Sequence, residues 1–262
     1  MHLPARSLET LLMHAKTADV LDSGEKSFKA KDAVEDGFNV LELGPGDSLY
    51  TGLISVTLGA SHTWLVDTGE YAATDLQSYF RMRDYLVQNG YSAPNLKNIR
   101  YFCEYMSSTR TTYLTDGVRS LRNIPDSSID FCFSNAVLEH VNVDDFGLLI
   151  SELKRILRST SSSCHRVDLK DHLGGGLNSL RFSKDTWEGS LFKSSGFYTN
   201  RIRFNSYISM FCSAGFDVKT PRIVRWETVP IQRSNLDSEF IDNSEDDLLV
   251  SGFDMVLKLK RD

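Results

Sequence analysis

The chain has 262 residues, 41% hydrophobic and 24% charged, enough for one large α/β domain with an ample core. Its net charge of −6 argues against a general nucleic-acid-binding face, which would need a basic surface. Four scattered cysteines, Cys103, Cys132, Cys164 and Cys212, form no C-x-x-C pair, so neither a zinc site nor a disulfide framework is expected. The opening Met1-His-Leu-Pro-Ala-Arg lacks a signal peptide's apolar core, and no run reaches the length of a membrane span. A cytoplasmic location is the expectation.

In chain order, Ser7 to about Asp22 reads as a helix with Leu8, Leu11, Leu12, Ala15, Ala18 and Leu21 on one face. A polar linker, Ser23 to Asp36, leads to a first strand at Phe38–Leu43. Gly44-Pro45-Gly46 breaks it. A helix is predicted after Asp47 or Ser48, either a good N-cap, and Gly59 ends it. His62–Asp67 reads as the second strand, Ala72–Gln88 as the next helix, and Ile99–Met106 as a shorter one. Strands three and four are expected at Thr112–Asp116 and Ile129–Ser134, a helix over Val143–Arg158, and a fifth strand within Ser162–Leu169. Residues Asp171 to about Asn200 follow no period, and a long irregular loop in a compact domain is often functional. Phe204–Ala214 is helical, Phe216–Val224 and Leu248–Lys260 are the last strands, and the acidic Asp237–Asp247 between them reads as a solvated loop.

Strands alternating with helices imply a Rossmann-like, doubly wound α/β sheet of about seven strands with helices on both faces. It is mostly parallel. The last two strands, joined without a helix, suggest one antiparallel edge strand. Ligand then binds at the carboxyl ends of the strands. Strand, glycine turn and helix start at 38–49 make a nucleotide-binding corner. The third glycine of G-x-G-x-x-G is missing, because Leu49 stands there, and Glu42 precedes the first glycine by two residues. A carboxylate at that place suits a ligand with positive charge. Asp67, about twenty residues past the turn, can accept from both hydroxyls of a ribose.

On these residues the chain resembles the class I S-adenosylmethionine-dependent methyltransferases, from about Phe38 to the C-terminus. Glu42-Leu-Gly-Pro-Gly looks like their first motif. The resemblance implies a cofactor site of Glu42, Gly44, Gly46, Asp67, Asp116, Gly117, Ser134 and Asn135, with S-adenosyl-L-methionine as cofactor. Asp67 would bind the ribose, Asp116-Gly117 the adenine, and Ser134 and Asn135 the methionine part. Asp116 reads equally as a cap for the short helix after it. The family often carries a proline and two glycines before the fifth strand; here that place is Arg158-Ser-Thr-Ser-Ser-Ser-Cys164. The segment His165–Arg203 is similar to a bacterial subgroup associated with surface-polysaccharide or other glycan pathways. This reading divides the chain into a helix and linker at 1–37 and a methyltransferase domain at 38–262, with an acceptor-site insertion at about 171–203.

The acceptor side rests on fewer signals. His140, His172 and Asp168 are the candidate bases, since an imidazole titrating near neutrality can take a proton from a hydroxyl. Each reads equally as a hydrogen-bonded anchor. No metal is expected, because the cluster around His165–His172 matches no ligand spacing. Arg181, Trp187, Tyr198, Arg201 and Arg203 mix aromatics with arginines. They form either a lid that grips an acceptor or a satellite cluster beneath a long loop. The expected reaction is O-methylation of a polar acceptor such as a sugar or glycan hydroxyl. An O- or N-methyltransferase for another small metabolite, a nicotinamide-dependent oxidoreductase and a silent cofactor-binding module remain as alternatives.

Overall fold

The computed structural model describes residues 3–18 and 37–260. The expected linker Ser23–Asp36 and the last turn of the first helix, 19–22, lie outside them.

The described residues form nine helices and seven strands. In chain order these are α1 (Leu3–Thr17), β1 (Phe38–Leu43), α2 (Tyr50–Thr57), β2 (Ala60–Val66), α3 (Leu76–Gln88), α4 (Phe102–Ser108), β3 (Thr111–Leu114), β4 (Ile129–Asn135), α5 (Val143–Ile156) and β5 (Leu157–Asp168). They continue with α6 (Lys184–Trp187), α7 (Ser190–Lys193), α8 (Phe204–Ser213), β6 (Phe216–Arg225), α9 (Glu245–Leu249) and β7 (Val250–Leu259). All seven strands join one sheet in the order β3-β2-β1-β4-β5-β7-β6. The pairs β1–β2, β1–β4, β2–β3 and β4–β5 are parallel. β7 runs antiparallel to both its neighbours and lies between β5 and β6. Strand direction thus reverses twice, into β7 and out of it, so the antiparallel strand lies next to the edge strand β6 and not at the edge itself.

Alternation along the strands divides the core into two faces. Val40, Phe131, Phe133 and Cys164 pack with α1, α2, α3 and α4. Leu41, Cys132, Val167, Met255 and Leu257 pack with α5 and α8. The strands buried on both faces read as near-continuous apolar runs, which is why they stood out in the sequence.

Several boundaries differ from expectation for physical reasons. α2 is capped neither by Asp47 nor by Ser48: its N-cap is Leu49, with no side-chain bond. Two tyrosines serve the Leu49 backbone instead. Leu49 N donates to Tyr79 Oη at 3.2 Å and Tyr105 Oη donates to Leu49 O at 3.2 Å. α3 begins at Leu76 rather than Ala72, because Asp75 caps it by accepting from Gln77 N. α5 passes directly into β5, whose pairing with β4 shifts register between Leu157 and Ser162, where the family often carries a proline and two glycines. The acidic stretch is solvated only in part. Ser244 caps α9, and Asp247 is buried, accepting from Asn205 N at 2.8 Å. The irregular segment after β5 has a core of its own, in which Leu177 and Leu180 meet Ile231, Leu236, Phe240 and Leu248.

Candidate functional site

The carboxyl ends of β1, β2, β3 and β4 surround a cavity of about 460 Å³. Its wall includes Gly44, Gly46, Asp67, Asp116 and Gly117, all from the expected cofactor set, and His140 from the acceptor set. The parallel register that aligns Leu43 with Val66 and with Ser134 brings these loops to one level.

Each loop is held by bonds the residues themselves supply. Gly44 and Gly46 sit at φ +69° and +70°, the left-handed region that glycine enters without strain. A Cβ on Gly44 would overlap the Val137 isopropyl group, so this glycine lets the turn approach the loop after β4. A Cβ on Gly46 meets nothing within 4 Å. The Asp67 carboxylate accepts from Gly46 N at 3.0 Å and from Thr68 N at 2.7 Å, and its carbonyl accepts from Gly117 N at 2.8 Å. One acid therefore joins the glycine turn to the two loops that follow. Asp116 precedes a 3-10 turn, Gly117–Asn123, but its side chain makes no capping bond and stands at the cavity wall.

Glu42 does not line this cavity. It sits beneath the turn, hydrogen-bonded to Thr51, and its Oε2 is buried without a partner. Burial first, then the nearby Asp67 charge, raises its pKa to about 7, against the Thr51 bond that lowers it. Ser134 also lies away from the cavity. It is fully buried, with Oγ 2.8 Å from His165 Nδ1, and the same ring meets Ser163 Oγ on its other side. Its hydroxyl is thus spent inside the sheet and is not free to meet a ligand in the cavity. Asn135 points to the opposite face, where it bonds the His14 side chain of α1. The expected cofactor residues thus fall into two groups: five at the cavity, and three beneath or beside it.

The expected acceptor residues divide as well. The His140 Nδ1 lies 3.0 Å from Tyr198 O. A carbonyl only accepts, so Nδ1 carries the hydrogen and Nε2 keeps its lone pair in the neutral ring. Desolvation lowers the His140 pKa, chiefly against its bond to Tyr198 O, and the neutral form prevails at pH 7. The His172 ring packs edge-on against it, with centroids 5.1 Å apart. Asp168 is near enough to raise the His140 pKa while His172 lowers it. The three candidate bases therefore converge, with His140 as the one at the cavity.

The arginine–aromatic set does not form a lid. Trp187 is fully buried, stacked on Phe182 and Phe192, and Nε1 donates to Thr199 O at 2.7 Å. Tyr198 is buried and its hydroxyl donates to Glu188 at 3.0 Å. The Arg201 guanidinium lies 5.5 Å from the Trp187 ring and 5.0 Å from that of Phe240, and donates to Phe182 O. Arg203 donates to Asp247 O at 2.8 Å and Val250 O at 2.7 Å, beside the Asp247 carboxylate. Most of their donors go to backbone carbonyls, with Arg201 Nε and Arg203 Nε left buried without a hydrogen-bond partner, and their rings pack on one another, so these four hold the insertion together. Arg181 alone is exposed, at the end of the turn Asn178–Arg181.

Pattern reading missed Thr68, Tyr71, Arg119, Ala136, Val137 and Asp145, all of which line the cavity. Ala136, at φ +56°, is a non-glycine residue in the left-handed region, a strain typical of functional loops. No sequence signal marks it. Among the described residues no group of three or more His, Cys, Asp or Glu side chains is placed to hold a metal ion.

Residues 41–163 match the methyltransferase domain. The protein is an S-adenosylmethionine-dependent methyltransferase. The match sets aside a nicotinamide-dependent oxidoreductase. Among solved structures, the fold is similar to that of an arsenic(III) S-adenosylmethionine methyltransferase from Chlamydomonas reinhardtii: 15% identity, TM-score 0.50, covering 97% of this chain and 73% of that one. It is similar too to the YcgJ protein of Bacillus subtilis: 15% identity, TM-score 0.50, covering 98% and 99%. No curated protein matches the chain.

S-adenosylmethionine is the methyl donor, and the methyltransferase's residues fit it. The space over Gly46 is open, Asp67 and Asp116 present carboxylates to the cavity, and Glu42 holds a buried oxygen with no partner. No helix of the described residues is long and apolar enough to cross a membrane.

Proposed function

We infer that the methyltransferase acts on a hydroxyl of a small polar acceptor, with His140 as the base. Asp67 and Asp116 would hold the ribose and adenine of the donor, and the turn Gly44–Gly46 would admit it. The bound cofactor supplies a methyl carbon already activated by its sulfonium, so the protein's tasks are alignment, exclusion of water and removal of one proton. One observation carries the reading. His140 bonds the Tyr198 carbonyl through Nδ1 and lines the cavity, which leaves Nε2 as a proton acceptor. His172 packs against the ring and would keep its orientation.

A sugar or glycan hydroxyl belongs to this class of acceptor. The arginine–aromatic cluster lends it no support, because those side chains are consumed by packing. The test is methyl transfer from radiolabelled S-adenosylmethionine to a panel of methyl glycosides, other alcohols, amines and thiols. Transfer to hydroxyls that falls about 10²-fold or more in His140→Gln is the expected result. Transfer confined to amines or thiols, or a variant as fast as wild type, would overturn it.

A further inference from the structure

The short turn Leu138–His140 carries the ring but has no side-chain cap of its own. It is held from the segment Tyr198–Asn200, at the far end of the insertion. Asn200 N donates to Glu139 O at 2.7 Å. Asn200 Nδ2 donates to Leu138 O at 2.8 Å and to Val141 O at 3.0 Å. His140 Nδ1 completes the set by donating to Tyr198 O. Four bonds thus join two pieces of chain that are remote in sequence, and three of them come from one residue.

The Asn200 side chain is fully committed. Its Oδ1 accepts from Ile202 N at 3.1 Å, and Nδ2 spends its hydrogens on two carbonyls that only accept, which fixes the orientation of the amide. The residue is buried and followed by Arg201 at φ +58°, a backbone bend that costs energy in a non-glycine residue. Arg201 is in turn locked between Trp187 and Phe240. The buried aromatic cluster therefore has a task at the site without touching a ligand: it holds Tyr198–Asn200 in place.

We propose that Asn200 is the positioning residue for His140, closing the Leu138–Val141 turn onto the carbonyl that selects the Nδ1–H tautomer. This rests on the reading of His140 as the base. Asn200 is not among the residues lining the 460 Å³ cavity, so it acts through the histidine and not on substrate.

The test needs no acceptor. Full-length protein labelled with ¹⁵N-histidine and saturated with S-adenosylhomocysteine reports the His140 tautomer by NMR. Wild type is expected as the Nδ1–H form. Asn200→Asp and Asn200→Ser, each lacking the amide donor, are expected to shift it toward a mixture with the Nε2–H form while keeping cofactor-product affinity within a few-fold. An unchanged tautomer in a variant that still binds S-adenosylhomocysteine overturns the proposal. So does an Nε2–H ring in wild type, a reading that no folding defect can obscure. The two claims fail separately. If His140→Gln transfers methyl groups at the wild-type rate while the tautomer still depends on Asn200, the base reading falls and the positioning stands.

Discussion

Gly44 faces Val137 so closely that any side chain at 44 would overlap the valine's methyl groups. The glycine turn is therefore fitted first to the loop after β4 and only then to a ligand. Gly46 differs, because the space beyond its α-carbon is open cavity. Gly44→Ala is expected to destabilise the fold by about 1–3 kcal/mol, combining left-handed strain with the clash. Gly46→Ala carries the strain without the clash, but places a methyl group where the cofactor would lie. Urea unfolding and calorimetry with S-adenosylhomocysteine separate the two: the 44 variant loses mainly stability, and the 46 variant loses proportionally more affinity.

Asp67 binds its own loops before it binds anything else. Replacing it with alanine strands the Gly46 and Thr68 N–H groups and removes the carboxylate at the cavity wall. Affinity for S-adenosylhomocysteine is expected to fall by about 1–3 kcal/mol, the scale of a lost charge-assisted hydrogen bond. Asp67→Asn keeps one acceptor and should lose less. Wild-type affinity in both variants would move the ribose site elsewhere.

The central sheet was legible in the sequence because strands such as Val40–Leu43 and Phe131–Phe133 are buried on both faces and read as apolar runs. The cofactor corner was legible for a related reason. A glycine turn and an acid at the end of the next strand are local signals. The insertion was not. Trp187, Arg201 and Arg203 have the composition of a binding surface, and composition does not say which way a side chain points. Only the fold brings Phe240, from the far side of β6, against Arg201. Ser134 shows the same limit: a motif does not say that the pleat turns its hydroxyl to His165. Leu49 as an N-cap was invisible because its partners are tyrosines from α3 and α4, remote in sequence.

Arg203 is a structural staple, and its removal should be costly. Its guanidinium satisfies carbonyls of α9 and β7 in a site where burial lowers its pKa to about 10, against the Asp247 charge that raises it. Arg203→Met keeps much of the volume but leaves the buried Asp247 carboxylate without its positive partner, with only the bond from Asn205 N remaining on that side chain. A loss of roughly 3–5 kcal/mol is expected in urea unfolding, the scale for breaking a buried ion pair. A variant as stable as wild type with altered acceptor preference would return Arg203 to the acceptor site.

Glu139 gives the fold a distinct pH dependence. It is buried between the Leu138–His140 turn and β5, with Oε1 accepting from Asp168 N and Oε2 unpartnered. Burial raises its pKa from 4.5 to about 8, against two backbone hydrogen bonds that lower it, with the Asp168 charge adding a smaller rise. A folded pKa above the unfolded one means the native state holds the proton more tightly. Its contribution to stability is then fully present below about 4.5 and is lost as pH rises through about 8. His165, lowered to about 3 chiefly by burial, works the other way: its contribution is present above 6.5 and is lost as pH falls toward 3. Glu139→Gln isolates the first effect, because glutamine keeps the acceptor for Asp168 N and cannot ionise. Relative to wild type, the variant is expected to gain stability between pH 5.5 and pH 8.5, by roughly 1–3 kcal/mol, the scale of an unsatisfied buried polar group. Urea midpoints at the two pH values measure it. Parallel curves for variant and wild type would mean that Glu139 ionises as readily in the folded chain as in the unfolded one.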